Sequence, residues 1–227
     1  MVFLNNKAVI FDLDGVLLDS AECHYLAWKK IALELNVHFD RKINHLLRGV
    51  SRKESLLIMV RGKIELSEKQ INELTTRKNT FYLELVRKAG QKLLFNGIND
   101  FLSELHKTPL RLAISSGSQN APELIRISGL RREFFQAVVS GQDFSKSKPD
   151  PESFLITAAK LRVKPENCLV VEDAPAGIEA ARHAGMGTFG IGDADLGTCD
   201  IKSELLSLKS IKNILEYFKN DGKLTEN

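Results

Sequence analysis

The stretch AVIFDLDGVLLDS, residues 8–20, decides the fold. Residues 8–11 form a continuous apolar run, the pattern of a strand covered on both faces. Asp12 and Asp14 follow, one residue apart, and Gly15 comes next. Burying an unpaired carboxylate is costly, so the pair must stand at the strand's end or face a counter-charge. Gly15 suits a chain that turns sharply as it leaves the strand.

Outward from this stretch, the chain divides into two patterns. From about residue 22 to 90 it reads as helix. ECHYLAWKKIALEL (22–35) places Leu26, Ile31 and Leu35 near one face, with Trp28 nearby. SEKQINELTTRKNTFYLELVRK (67–88) repeats apolar residues at Ile71, Leu74, Phe81 and Leu85, and Ser67 with Gln70 reads as a capping box. After residue 93, short apolar runs alternate with helical segments. Strands are expected at 110–115, 136–140, 168–173 and 187–192. Helices are expected in PELIRISG (122–129), closing on Gly129, in DPESFLITAAKL (150–161), with Asp150 as N-cap, and in AGIEAARHAG (176–185). Strands alternating with helices argue a parallel sheet covered on both faces. The expected architecture is a Rossmann-like α/β core with a helical insert after the first strand. Core residues are 1–16 and 93–227, and the insert is 17–92.

Open parallel sheets bind ligands beyond the carboxyl ends of their strands. Here those ends carry Asp12 and Asp14, Ser115 to Gly117, and Glu172 with Asp173, while the loop after 136–140 leads to Lys146 and Lys148. Four carboxylates in one crevice need a counter-charge. Mg²⁺ prefers oxygen ligands and uses few protein carboxylates, and a lysine supplies further charge. Ser116 with nearby backbone N–H groups suits a phosphate oxygen. The set fits phosphoryl transfer, which rests on positioning and charge neutralisation. One aspartate attacks phosphorus and the other moves the proton. Each element alone has a plainer reading, such as a turn, a helix lead-in or a helix cap. Their common place at strand ends is what those readings leave unexplained.

Composition narrows the partners. Hydrophobic residues make up 43% and charged residues 27% of 227. No apolar run approaches the roughly 20 residues of a membrane span. Three scattered cysteines form no CxxC pair, which points to a reducing, cytoplasmic setting. The net charge of +3 divides unevenly: +6 in 17–92 and −3 elsewhere. The basic residues are dispersed along helices without interleaved aromatics, so neither nucleic acid nor a membrane is an expected partner. By default, a lone helical histidine such as His24 is structural, Trp28 is core, and Arg48, Arg52 and Lys78 are solvated surface.

The segments FDLDGVLLDS (11–20), ISSGS (114–118), SKPDP (147–151) and VVEDAPAGIEAARHAGM (170–186) together resemble the four motifs of the haloacid dehalogenase superfamily, in order. The insert resembles that superfamily's helical cap. Its segments DSAECHYLAWKKIA, LLRGVSRKESL and RKNTFY resemble the β-phosphoglucomutase family within it. The resemblance implies interconversion of β-glucose 1-phosphate and glucose 6-phosphate through an aspartyl-phosphate and a bisphosphate. A sugar-phosphate phosphatase is the alternative, and a non-catalytic protein on this fold is a further one. It implies Asp12 as nucleophile and Asp14 as general acid and base. Mg²⁺ would be held by Asp12, the Asp14 carbonyl and Asp173, with Glu172 assisting. Ser116 and Lys148 would hold the transferring phosphoryl group; Lys148 is preferred to Lys146 because Pro149 follows it. Arg52 with Ser51 would grip the second phosphate, Arg48, Lys78 and Asn120 would assist, and His24 would link Asp14 to cap closure. The implied partner is a small phosphorylated sugar, and the implied state is a monomer. Ser20, Phe95-Asn96-Gly97 and Gln119 depart from the family's usual threonine, Leu-Pro-Gly and basic residue.

Overall fold

A computed structural model describes residues 4–47 and 50–220. Strand β1 (Ala8–Phe11) lies at the centre of a six-stranded parallel sheet. On one side it pairs with β2 (Arg111–Ser115), which pairs with β3 (Ala137–Val139). On the other side follow β4 (Cys168–Glu172), β5 (Gly187–Ile191) and β6 (Ile201–Ser203). The spatial order is β3-β2-β1-β4-β5-β6. The chain therefore builds outward from β1 in one direction and then in the other. That reversal makes the crevice between the ends of β1 and β4 the topological switch point, where such sheets bind ligands.

Period-two alternation divides the strand side chains between two cores. Val9 and Phe11 pack with Leu112, Ile114, Leu169 and Val171 on one face. There they meet α5 (Ile98–His106), α6 (Ala121–Ser128) and α9 (Leu208–Lys219). Ala8 and Ile10 face the other way, against α7 (Glu152–Leu161) and α8 (Pro175–His183). Burial on both faces explains the unbroken apolar run at 8–11.

Between β1 and α5 lie α1 (Ala21–Glu34), α2 (Arg41–His45), α3 (Arg52–Val60) and α4 (Glu68–Ala89). They enclose an apolar cluster of their own, centred on Trp28, Ile31, Leu56, Met59 and Ile71. The near ends of α1 and α4 join the sheet's core instead, through Ala27, Tyr82 and Val86. The two chain crossings lie side by side: Asp19 N–H donates to the Leu93 carbonyl at 2.7 Å, and Phe95 N–H to the Leu17 carbonyl at 3.2 Å.

The helical faces differ from expectation in places. Leu26 is exposed at 40%, and the buried face of α1 runs through Cys23, Ala27, Trp28 and Ile31. On α4 the buried positions after Leu74 are Lys78, Tyr82 and Val86, while Phe81 and Leu85 are partly buried. The Ser67–Gln70 capping box is present. Helix α7 starts one residue later than expected, with Pro151 at the N-cap position, yet the Asp150 carboxylate still accepts from Glu152 N–H at 3.0 Å. Among the described residues no helix is long and apolar enough to cross a membrane.

Candidate active site

The sheet brings Asp12, Glu172 and Lys148 together at the switch point. Asp12 follows β1, and its N–H donates to the Val171 carbonyl of β4 at 2.9 Å. Lys148 Nζ lies 2.6 Å from Asp12 Oδ1 and 2.5 Å from Glu172 Oε1. All three side chains are buried. Lys146, by contrast, sits on the surface near Asp150. Glu172 is held by three hydrogen bonds. Its Oε1 takes Lys148, and its Oε2 accepts from the Asp173 and Ala174 N–H groups at 3.0 Å. It fixes the lysine and the loop that carries Asp173. Gly177 makes room for it, since a Cβ there would lie 2.0 Å from the carboxylate.

Burial and neighbouring charges pull in opposite directions in this cluster. Burial pushes the Asp12 carboxyl well above its ordinary value; Lys148 opposes this, and the charges of Glu172 and Asp173 reinforce it. For Lys148, burial acts downward, but Asp12 and Glu172 reverse it and hold the ammonium. Lys148 thus bridges the Asp12 and Glu172 carboxylates. Gly15, at φ +90°, lies directly beneath Asp173: a Cβ would stand 2.1 Å from its Oδ2. The Asp173 carboxylate therefore lies close against the Gly15 backbone. Asp12, Asp173 and the Asp14 carbonyl are oxygen donors, the ligand type a hard divalent cation prefers. Among the described residues no three acidic, His or Cys side chains group tightly enough to hold a metal alone.

The Asp14 side chain points toward the helical insert. Ser20 Oγ donates to its Oδ1, and Tyr82 Oη does so at 3.4 Å. Ser20 occupies the N-cap position of α1 but makes no capping bond, because its hydroxyl is turned to Asp14. His24 Nε2 lies 3.9 Å from the same oxygen, and the ring rests on Tyr82 at 4.2 Å between centroids. Burial acts to raise Asp14, but His24, Ser20 and Tyr82 outweigh it and hold the carboxyl below its ordinary value. Lys78 Nζ meets His24 Nδ1 at 2.9 Å and lies against the faces of Trp28 and Tyr82. With Nδ1 facing an amine, the partners assign the imidazole proton to Nε2, toward Asp14. Burial, and then repulsion from Arg52, pushes the Lys78 amine down to about 7.

Ser116 closes the crevice on the β2 side. Its N–H donates to the Val139 carbonyl, and its Oγ accepts from Ser118 N–H at 3.0 Å. Gly141 packs against this turn; a Cβ there would lie 2.4 Å from the Gly117 carbonyl. Arg52, the first residue of α3, is partly buried and has no side-chain hydrogen bond or ion pair among the described residues. Burial lowers its guanidinium somewhat. Ser51 caps α3, accepting from Glu54 N–H. The Asn120 amide donates to Asn79 Oδ1 at 2.7 Å. Arg48 lies outside the described residues.

Sequence reasoning alone misses Tyr82, Asn79 and Gly141. Tyr82 follows Lys78 by four residues on one helical face, a spacing that can be read. Asn79 lies in the RKNTFY segment that carries the family resemblance, whereas nothing local marks Gly141.

The chain is similar to proteins already known. Residues 6–185 match the family model described as haloacid dehalogenase-like hydrolase. The chain belongs to this family. It is 42% identical to a beta-phosphoglucomutase of Bacillus subtilis (strain 168), over 88% of this chain and 93% of that protein. A phosphorylated carbohydrates phosphatase of Thermotoga maritima is 28% identical over 79% of this chain and 82% of its own length. Among solved structures, a beta-phosphoglucomutase from Clostridium difficile superposes with a TM-score of 0.86 at 32% identity, covering 94% of this chain and 97% of that one.

Proposed function

We propose that this enzyme interconverts β-glucose 1-phosphate and glucose 6-phosphate. Asp12 attacks phosphorus and carries the phosphoryl group, while Lys148 and Ser116 hold its oxygens. Asp14 delivers a proton to the leaving oxygen and removes one from the incoming hydroxyl. Phosphotransferases of this family generally use Mg²⁺. Asp12, Asp173 and the Asp14 carbonyl would hold it, where it neutralises charge on the transferring phosphoryl group. Residues 17–92 act as a cap over a core of 1–16 and 93–227.

The observation that carries this reading is Arg52. A partly buried guanidinium with no carboxylate partner among the described residues, close enough to Lys78 to depress it, is a second anion site on the cap. A bisphosphate needs such a site remote from Asp12; simple hydrolysis of a monophosphate needs it less. The phosphatase reading retains the support of the Thermotoga relative. The two separate in a product assay with β-glucose 1-phosphate, Mg²⁺ and trace glucose 1,6-bisphosphate. Glucose 6-phosphate should form much faster than free phosphate, Asp12→Ala should abolish both, and Arg52→Ala should cut mutase turnover by at least about tenfold, the effect of losing one charged hydrogen bond. Free phosphate alone makes the enzyme a phosphatase.

A further inference from the structure

The Asn79–Asn120 contact joins the cap helix α4 to the core at the lip of the phosphate turn. We propose that Asn79 is a positioning residue that ties the cap to the Ser116 turn through Asn120, and that this tie favours transfer of the phosphoryl group to a sugar rather than to water. The inference rests on the mutase reading above.

The connection is continuous. Asn79 Oδ1 accepts from Asn120 Nδ2 at 2.7 Å. The Asn120 N–H donates to Ser118 Oγ at 3.2 Å, and the Ser118 N–H to Ser116 Oγ at 3.0 Å. Three hydrogen bonds thus lead from the cap to the serine that faces the phosphoryl group. On the cap side, Asn79 directly follows Lys78. Successive residues on a helix point about 100° apart. Lys78 reaches His24 and, through it, Asp14, while Asn79 reaches toward α6. Helix α4 therefore spans both walls of the crevice at one level, the proton-transfer wall and the phosphate wall. Two turns further on, Arg87 pairs with Glu123 of α6 at 2.7 Å, one helical turn beyond Asn120. These two links set the register of α4 on α6.

The assignment does not depend on which way the amides are drawn. If both were flipped, Asn79 would donate and Asn120 accept, and the tie would remain. Among the described residues Asn79 and Asn120 have no other side-chain partner. Loss of either one leaves the other with no protein group to bond, and water takes its place. A cap held down excludes water from the aspartyl-phosphate, and a loosened one admits it.

The test is the ratio of free phosphate to glucose 6-phosphate produced from β-glucose 1-phosphate. Asn79→Ala should raise that ratio by between about twofold and tenfold, the range one hydrogen bond of this kind supplies. The same substitution in an Asn120→Ala background should leave the ratio where Asn120→Ala alone put it, since the tie is already cut. Thermal melts establish that each variant is folded. An equal rise in both backgrounds, or no rise in either, overturns the inference. If the wild-type enzyme releases only phosphate, the mutase reading fails separately. The tie is then read from KM for the sugar phosphate, which Asn79→Ala should raise in the wild-type background and not in the Asn120→Ala one.

Discussion

At the scale of single residues, the site is a set of groups that weaken the fold. Lys78 is the plainest. It is 2% exposed, contacts a histidine and two aromatic faces, and among the described residues has no carboxylate bonded to it. Its amine is pushed down to about 7 from an ordinary 10.5, by burial first and Arg52 second. Between those two values the unfolded chain binds more protons than the folded one, so stability rises with pH across the window. Below about pH 7 the penalty is present in full. A tenfold change in proton affinity between the two states is worth roughly 1.4 kcal/mol. Lys78→Met should therefore stabilise the protein at pH 6.5 by about 1–3 kcal/mol, the full penalty being offset in part by lost cation–π contact and an unpaired His24. The gain should shrink as the pH approaches 10. Urea denaturation at pH 6.5 and 9.5 checks this; a variant that is less stable at both values sinks it. Activity should fall in the same variant, the trade expected where a strained group serves the site.

At the scale of elements, helix caps carry two loads. Ser20 gives up capping of α1 to serve Asp14, whereas Ser51 caps α3 and stands beside Arg52. Asp is as good an N-cap as Ser, but it adds a negative charge where an anion should bind. Ser51→Asp should keep stability within about 0.5 kcal/mol and raise KM for the sugar phosphate severalfold, whereas Ser51→Ala should cost about 1 kcal/mol of stability. Paired urea melts and steady-state kinetics separate the two loads. If Ser51→Asp leaves KM unchanged, Ser51 is a cap and nothing more. Elements also show why some of the structure can be read in advance. Strand β1 and its two aspartates are local and strongly patterned, and the same holds for β2, β4 and the α4 capping box. Strand β6 is three residues long with only Ile201 buried, so it carries no alternation to detect. Leu26 falls off the buried face because alanine and cysteine, not leucine, line the near end of α1. Lys78 breaks the apolar pattern of α4 at the turn that faces His24. Gly141 and Asn79 matter through contacts with chain far away in sequence, and no single-chain periodicity encodes such contacts.

At the scale of the whole molecule, the sheet's strand order concentrates negative charge at one point. Asp12 and Glu172 end adjacent strands, Asp173 follows at once, and the Lys148 ammonium bridges the first two. This repulsion is built into the folded state and relaxes when the chain unfolds and the carboxylates separate. A divalent cation bound there therefore acts on stability as well as on chemistry. By mass action, Mg²⁺ at a hundred times its dissociation constant adds about 2.7 kcal/mol. For a chain of this size each kcal/mol moves the melting temperature by roughly 2–4 °C, so saturating Mg²⁺ should raise it by about 5–10 °C. Ca²⁺ should also raise it, since its ligands are oxygens too, but its longer bonds fit a different spacing. Asp12→Asn should raise the cation-free melting temperature, because one of three crowded charges is gone, and should shrink the Mg²⁺ increment. Removing the metal with a chelator should abolish turnover in the wild-type enzyme and return the melting temperature to its cation-free value. Scanning calorimetry of both proteins with and without Mg²⁺ decides the matter. An Asp12→Asn protein that melts lower than wild type without metal, or gains as much from Mg²⁺, would show that Lys148 alone balances the crevice.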